Sequence, residues 1–114
     1  MLVFLVAAQL AASTTAPADG QSAQDRVTAT EVFAYGQWRN CVLKETHHNA
    51  SRIKDHDAVA DAAIAECGTK EANYASSLSS LAQLYKLGNA ADFVKGNTDK
   101  TRKALRDMAM KELK

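Results

Sequence analysis

Two cysteines, Cys41 and Cys67, are the only ones in the chain, and they restrict its fold more than any other feature. Between them, the apolar periodicity is lost over Ser51–Asp55, which predicts a turn. If antiparallel helices flank this turn, residues equidistant from its centre lie side by side, and the centre for the two cysteines is residue 54. Because a helix rises 1.5 Å per residue, a small error in the turn keeps the pair near the Cα separation of about 5 to 6 Å that a disulfide needs. We therefore predict a Cys41–Cys67 disulfide.

The first 18 residues predict a secretory signal peptide. An apolar run from Leu2 to Ala12 precedes small and polar residues that end in Ala16-Pro17-Ala18, the A-x-A pattern of a cleavage site. Cleavage after Ala18 would leave residues 19–114 as a single helical domain. The apolar run is shorter than the roughly 20 residues that span a bilayer, so we expect no transmembrane segment after cleavage. We expect a periplasmic or secreted location, where cysteines are oxidised.

The composition of residues 19–114 favours α-helix. Proline is absent after Pro17, Ala, Leu, Lys, Glu and Gln are common, and no segment alternates between polar and apolar residues as a strand does. We therefore expect an all-α fold in which a disulfide-linked antiparallel helical hairpin has a third helix packed against it.

Hydrophobic spacing and capping residues set the expected helix limits. The first helix is predicted from Asp25, as its N-cap, to Ala50. The second is capped by Asp55 or Asp57 and runs for about thirty residues until Gly88 ends it in the left-handed conformation. The third follows Asn89, and Gly96-Asn97 leaves a break or a continuous helix open.

Apolar residues at spacings of three and four predict which helix faces are buried. On the first helix the expected inner face includes Val27, Ala34, Trp38 and Cys41, and Phe33, Tyr35 and Val42 are expected to widen it. On the second helix the expected inner positions are Ala60, Ile64, Cys67, Glu71, Tyr74, Leu78, Leu81 and Tyr85. On the last helix they are Phe93, Val94, Thr101, Leu105 and Met108. Leu84 and Leu87 could form an exposed patch, but we expect them to complete the packing of the third helix, because a three-helix domain this small needs that buried area.

Two sequence segments resemble a known kind of protein. The segment "WRNCV", residues 38–42, is followed by "VADAAIAEC", residues 59–67, and a long helix. This pattern is similar to that of uncharacterised small exported two-cysteine helical proteins of bacteria, over roughly residues 33–85. The resemblance implies the helical hairpin and the disulfide, and it implies no activity.

The histidine-rich turn, residues 47–57, is the strongest candidate for metal chemistry. Imidazole and carboxylate groups are suitable ligands for Zn²⁺, Cu²⁺ or Ni²⁺. Adjacent His47 and His48 would diverge by about 100° on a helix and could not easily share one metal. The weak candidate ligands are therefore His48, Asp55 and His56. The simpler interpretation is a solvated polar loop.

Catalytic patterns are not evident. The sequence contains no G-x-S-x-G, P-loop, H-E-x-x-H or G-x-G-x-x-G motif. Asp57 and Asp61 share a helix face, but acid–base work also needs a cleft that separates their pKa values. Residues 92–114 carry seven basic and four acidic residues, too mixed for a nucleic-acid surface. We expect that the protein is not an enzyme and that it has no catalytic residue, no cofactor and no nucleic-acid partner.

Two classes of function follow. The first is an exported interaction protein, of the inhibitor, immunity or chaperone-like kind, that presents a rigid helix face to another protein. The alternative is a small-ligand or metal-binding protein that uses the histidine-rich turn. An exposed groove along the second and third helices favours the first class, whereas clustered side chains of His48, Asp55 and His56 favour the second.

Overall fold

The computed structural model describes residues 20–114, with side chains from Ala23 onward, and consists of four α-helices joined by short turns. The helices are α1 (Gly20–Ala50), α2 (His56–Glu66), α3 (Gly68–Leu84) and α4 (Ala90–Glu112). No β-strand occurs within residues 20–114. The predicted all-α class is confirmed. The expected signal peptide, residues 1–18, lies outside the described residues.

Helix α1 begins earlier than predicted and ends where predicted. Asp25 is wrong as an N-cap because it lies inside a helix that already starts at Gly20, in a segment whose Gln and Ala residues favour helix. At the other end, the backbone N–H groups of Arg52 and Ile53 both donate to the Asn49 carbonyl, at 3.0 and 2.8 Å. These bonds close α1 and form the predicted turn.

The predicted second helix is wrong as a single element, because the structure divides it into α2 and α3 at Cys67. Asp55 caps the start of α2 as expected, and its Oδ2 accepts a hydrogen bond of 3.0 Å from the Ala58 backbone N–H. At the division, the Cys67 N–H donates to the Ile64 carbonyl, an i−3 bond that tightens the last turn. Gly68, a poor helix former, then opens α3.

A disulfide joins α1 to the division between α2 and α3. Cys41 and Cys67 are bonded, and their Cα atoms lie 6.0 Å apart. The predicted disulfide is thus present in the structure. Cys67 is buried and Cys41 is half-buried.

The core forms where α1 contacts the other three helices. Trp38 is fully buried, and its ring centroid lies 5.4 Å from that of Tyr74 on α3. Leu105 supplies the largest buried side chain of α4. The remaining buried members of the core cluster are small or medium-sized: Ala34, Val42, Ala60, Ala63, Cys67, Leu78 and Ala109. The predicted inner face of α1 is confirmed at Ala34 and Trp38, and Val42, which was expected to widen it, is also buried, whereas Val27 and Cys41 are half-buried.

The end of α3 and the course of α4 differ from expectation. Lys86, not Gly88, is left-handed, with φ 55°. The N–H of Lys86 donates to the Gln83 carbonyl and that of Leu87 to the Ala82 carbonyl, which together form a Schellman motif. Helix α4 then runs from Ala90 to Glu112 without a break.

Candidate functional site

The histidine-rich turn does not gather the candidate metal ligands. His48 and His56 are exposed, and the carboxylate of Asp55 is used to cap α2. Within the described residues, no group of three or more His, Cys, Asp or Glu side chains is arranged to hold a metal ion. His47 instead approaches α4, with its Nε2 3.4 Å from Glu112 Oε1.

A shallow cavity of about 430 Å³ lies between this turn and the end of α4. Its lining residues are Ala50, Ser51, Arg52, Ile53, Lys54, His56, Glu112 and Leu113. One guanidinium N–H of Arg52 is already occupied, since Nη2 donates to Asn49 Oδ1 at 2.6 Å. Because basic and acidic groups both line the cavity, its charge selects no particular ligand.

The carboxylate pair Asp57 and Asp61 has a structural partner. Arg106 of α4 donates from Nε to Asp61 Oδ1 at 2.7 Å and from Nη2 to Asp57 Oδ1 at 3.0 Å. The hydrogen bonds to these carboxylates raise the pKa of Arg106, and the bond to Asp61 has the larger effect. The two carboxylates therefore connect α2 to α4 through Arg106. Both are exposed, so no cleft shields them from solvent.

A second arginine ties α4 to α3 one helical turn earlier. Arg102 donates to both carboxylate oxygens of Glu71, from Nε at 3.1 Å and from Nη2 at 2.5 Å. Its Nη1 also donates to Asp99 Oδ1 at 2.8 Å. These hydrogen bonds raise the pKa of Arg102, and those to Glu71 have the largest effect. The fork geometry of the guanidinium fixes the rotation of α4 against its neighbours.

The ion pairs of Asp99 predict a specific loss of stability in acid. Hydrogen bonds from Lys95, at 2.6 Å, and then from Arg102 hold the pKa of Asp99 below its ordinary value of 3.8. The pKa of Asp99 is therefore lower in the folded state than in the unfolded state. Its ion pairs stabilise the fold above about pH 4, and this stabilisation is lost as the pH falls through the folded-state pKa of Asp99. We expect Asp99→Asn to lose less stability than the parent between about pH 4 and pH 2.

Urea unfolding measured across this pH range checks the prediction. Asp107→Asn, which removes an exposed carboxylate of the same helix, is the matched control and should follow the parent. An Asp99→Asn curve that coincides with those of the parent and of the control would contradict the assignment.

The most distinctive surface lies where α3 turns into α4, and we call it the α3–α4 corner. It comprises Tyr85 and Leu87, which are 53% and 37% exposed, and an adjoining groove of about 330 Å³. The residues that line the groove are Ser79, Gln83, Ala90, Ala91 and Val94. No charged side chain is among them. The expected packing is therefore wrong for Leu87, which is exposed, while Leu84 is half-buried.

A second apolar surface lies on the outside of α1. Val32 and Phe33 are 61% and 67% exposed, although Phe33 was predicted to widen the inner face. That prediction is wrong for Phe33 and correct for Val42, which is fully buried. Nine residues separate the two, and at 100° per residue they stand on opposite sides of a helix. The helical phase was therefore a signal that could have identified Phe33 as an outer residue.

No protein-family model, no curated protein and no solved structure matches this chain. In addition, none of the helices in residues 20–114 is both long enough and apolar enough to cross a membrane.

Proposed function

We propose that the protein is an exported helical interaction protein that binds another protein through the α3–α4 corner. The observation that carries the proposal is the combination of an exposed tyrosine, an exposed leucine and an uncharged groove in one loop–helix junction. Interface centres are typically poor in charge and rich in aromatic residues that fill pockets on the partner. An inhibitor, immunity or chaperone-like protein is the kind of protein that such a contact would serve.

The corner is held in place before any partner arrives. The Leu87 N–H donates to the Ala82 carbonyl at 3.0 Å, so the loop conformation is fixed by the end of α3. Ala82 is itself buried in the contact of α3 with the rest of the domain. A preformed loop loses little conformational freedom on binding, which leaves more of the contact energy for affinity.

The proposal includes the antiparallel hairpin and export. Near one end, Asn49 Nδ2 donates to Glu66 Oε1 at 2.9 Å, and further along Trp38 contacts Tyr74. The later residue of α1 thus contacts the earlier residue of α2 and α3, and the earlier residue of α1 contacts the later one. This order supports an antiparallel hairpin. The disulfide supports an oxidising compartment. On the same grounds we propose kinship with the small exported two-cysteine helical proteins of bacteria.

A double variant at the corner tests the proposal. Affinity purification from the native host, followed by mass spectrometry, should recover a defined partner with the parent and lose it with Tyr85→Ser/Leu87→Ser. One hot-spot residue contributes about 2 kcal/mol, or about thirtyfold in affinity, so loss of both anchor residues should weaken binding by at least about thirtyfold and by about a thousandfold if the two contributions add. The melting temperature should change little because both side chains are exposed.

Asn73→Ser provides the matched control for this experiment. It changes an exposed residue of α3 away from the corner and should retain the partner at the parental level. A partner that binds the double variant as tightly as the parent would refute the role of the corner.

The alternative function, ligand or metal binding by the histidine-rich turn, remains a prediction. The observation in its favour is the cavity beside Lys54 and His56. The mixed charge of this cavity and the separation of the candidate ligands place this function second to protein binding through the α3–α4 corner.

A further inference from the structure

The two cysteines of the disulfide differ in their access to solvent. Cys67 is only 1% exposed and belongs to the buried core cluster, whereas Cys41 is half-buried. Cys41 also lines a shallow groove of about 270 Å³ between α1 and the start of α3. The other residues that line this groove are Gln37, Asn40, Lys44, Glu45 and Lys70. The groove therefore leads to one end of the disulfide and not to the other.

This difference decides which sulfur atom a thiol can attack. In thiol–disulfide exchange a thiolate attacks one sulfur of the bond, and the rate depends on access to that sulfur. A thiolate in the groove reaches Cys41, while the packed core around Cys67 blocks the approach to the other sulfur. The groove is slightly smaller than the roughly 300 to 1,000 Å³ of a pocket for a drug-sized ligand, so it admits a low-molecular-weight thiol.

The charge of the groove favours a thiol that is an anion. Lys44 and Lys70 supply two positive charges, and Glu45 supplies one negative charge. Neither lysine forms an ion pair with a described residue. Both ammonium groups are therefore available to a thiolate and to carboxylates carried by the same molecule. Because Lys44 is exposed and Lys70 half-buried, salt screens this attraction.

We propose that the Cys41–Cys67 disulfide is an exchange site at which an anionic low-molecular-weight thiol attacks Cys41. The thiol loses its proton to solvent, and its sulfur forms a new bond with Cys41 Sγ. The bond between Cys41 and Cys67 breaks, and its electron pair leaves with Cys67 Sγ, which then takes up a proton from solvent. The products are a mixed disulfide on Cys41 and a free thiol at Cys67.

The mixed disulfide can react further in two directions. The Cα atoms of Cys41 and Cys67 lie 6.0 Å apart, so the Cys67 thiolate is placed to displace the small thiol and restore the original bond. A second thiol molecule can instead attack the sulfur of the bound thiol. That step releases a small-molecule disulfide and leaves both cysteines reduced, so two thiol molecules are oxidised and the protein is reduced. The division between α2 and α3 then loses its covalent link to α1.

The exchange site goes beyond the proposed function. It uses none of the residues of the α3–α4 corner, and it requires no protein partner. Each of the two proposals can therefore fail without the other.

Mass spectrometry of the oxidised parent protein tests the site of attack. The protein is treated briefly with mercaptosuccinate, an anionic thiol, quenched in acid, blocked with N-ethylmaleimide and digested with trypsin. At the earliest times we expect mercaptosuccinate on Cys41 and N-ethylmaleimide on Cys67, at least about tenfold in excess over the reverse pattern, because only Cys41 is accessible. In concentrated urea, which exposes both cysteines, the two patterns should form in similar amounts.

Two single variants measure the access to each thiol separately. Cys67→Ala leaves the Cys41 thiol in the groove, whereas Cys41→Ala leaves the Cys67 thiol in the core. Dithiobis(nitrobenzoate), an anionic aromatic disulfide, should react at least about a hundredfold faster with Cys67→Ala, since a buried thiol reacts only when the core opens. In concentrated urea the rates should be similar. Circular dichroism establishes that both variants are folded, and the measurement on the parent decides if one is not.

Substitution of the two lysines tests the choice of an anionic thiol. Lys44→Gln/Lys70→Gln should slow the attack of mercaptosuccinate on the disulfide by about three- to tenfold. The same variant should react with cysteamine, whose thiolate form has no net charge, at the parental rate. Lys100→Gln/Lys103→Gln removes two exposed lysines of α4 and is the matched control, which should react with mercaptosuccinate as the parent does.

Three results would overturn the proposal. The first is a folded parent that carries mercaptosuccinate on Cys67 as often as on Cys41 at the earliest times. The second is a folded Cys41→Ala variant that reacts as fast as Cys67→Ala. The third is an unchanged rate with mercaptosuccinate in Lys44→Gln/Lys70→Gln, which would remove the anionic class of thiol.

Discussion

Trp38→Ala is expected to lower the free energy of unfolding by about 3 to 5 kcal/mol. Trp38 is the largest fully buried side chain, and its ring lies against Tyr74 at the contact of α1 with α3. Removing it leaves a cavity that a close-packed core cannot fill completely. A domain of this size has about 5 to 15 kcal/mol of stability in total, so the variant should be close to unfolding at 37 °C. Urea unfolding followed by far-ultraviolet circular dichroism measures the loss.

Trp38→Phe separates the volume of the ring from its polar atom. The indole Nε1 is buried and has no hydrogen-bond partner in the described part of the chain. Phenylalanine removes this unsatisfied donor while keeping most of the aromatic contact, and an unsatisfied buried donor costs about 1 to 3 kcal/mol. Because Trp38→Ala removes the same donor, the difference between the two variants reports the aromatic volume that phenylalanine keeps, and we expect Trp38→Phe to be milder than Trp38→Ala by at least about 2 kcal/mol. Equal losses in the two variants would contradict the assignment of this stability to the packing of the ring.

Features that depend on local chemistry were predictable from the sequence. Asp55 caps α2 because its short carboxylate reaches the backbone N–H three residues ahead, a contact that needs no tertiary information. The inner face of α1 follows from the spacing of Ala34, Trp38 and Val42. The disulfide followed from the position of the turn, which the loss of apolar periodicity marked.

Features that depend on tertiary contacts were not predictable in the same way. The apolar spacing of residues 60–85 continues through Cys67 and did not indicate that the backbone divides there; the local signal was Gly68, and whether it bends the helix was left open by the sequence. The end of α3 shows the same limit. Gly88 was the best local candidate for a left-handed residue, but the Schellman motif formed at Lys86.

The position of the α3–α4 corner depended on that early helix end. Tyr85 fits the inner-face spacing if the helix continues, and the sequence therefore predicted it as an inner residue. Because α3 ends at Leu84, the chain leaves the helix before Tyr85, and the side chain is exposed. A shift of a few residues in one boundary thus changed a core residue into a surface residue.

Removing the disulfide is expected to cost about 3.5 kcal/mol, because the Cys41–Cys67 bond closes a loop of 26 residues in the unfolded chain. The appropriate variant is Cys41→Ala/Cys67→Ala, which avoids placing a hydroxyl at the buried Cys67 position. A loss of 1 kcal/mol lowers the melting temperature of a domain this size by about 4 to 8 °C, so the variant should melt about 14 to 28 °C below the parent. Thermal unfolding followed by circular dichroism checks this.

A reductant distinguishes the effect of breaking the Cys41–Cys67 disulfide from the effect of replacing the two cysteine side chains. Dithiothreitol should lower the melting temperature of the parent toward that of Cys41→Ala/Cys67→Ala and should leave the variant unchanged, since the variant has no sulfur to reduce. The bond also anchors the division between α2 and α3 to α1, so a variant that melts like the parent would show that the core alone holds this junction. In that case the loop-closure argument would be wrong for this protein, because it assumes that the two segments separate freely in the unfolded chain when no bond joins them.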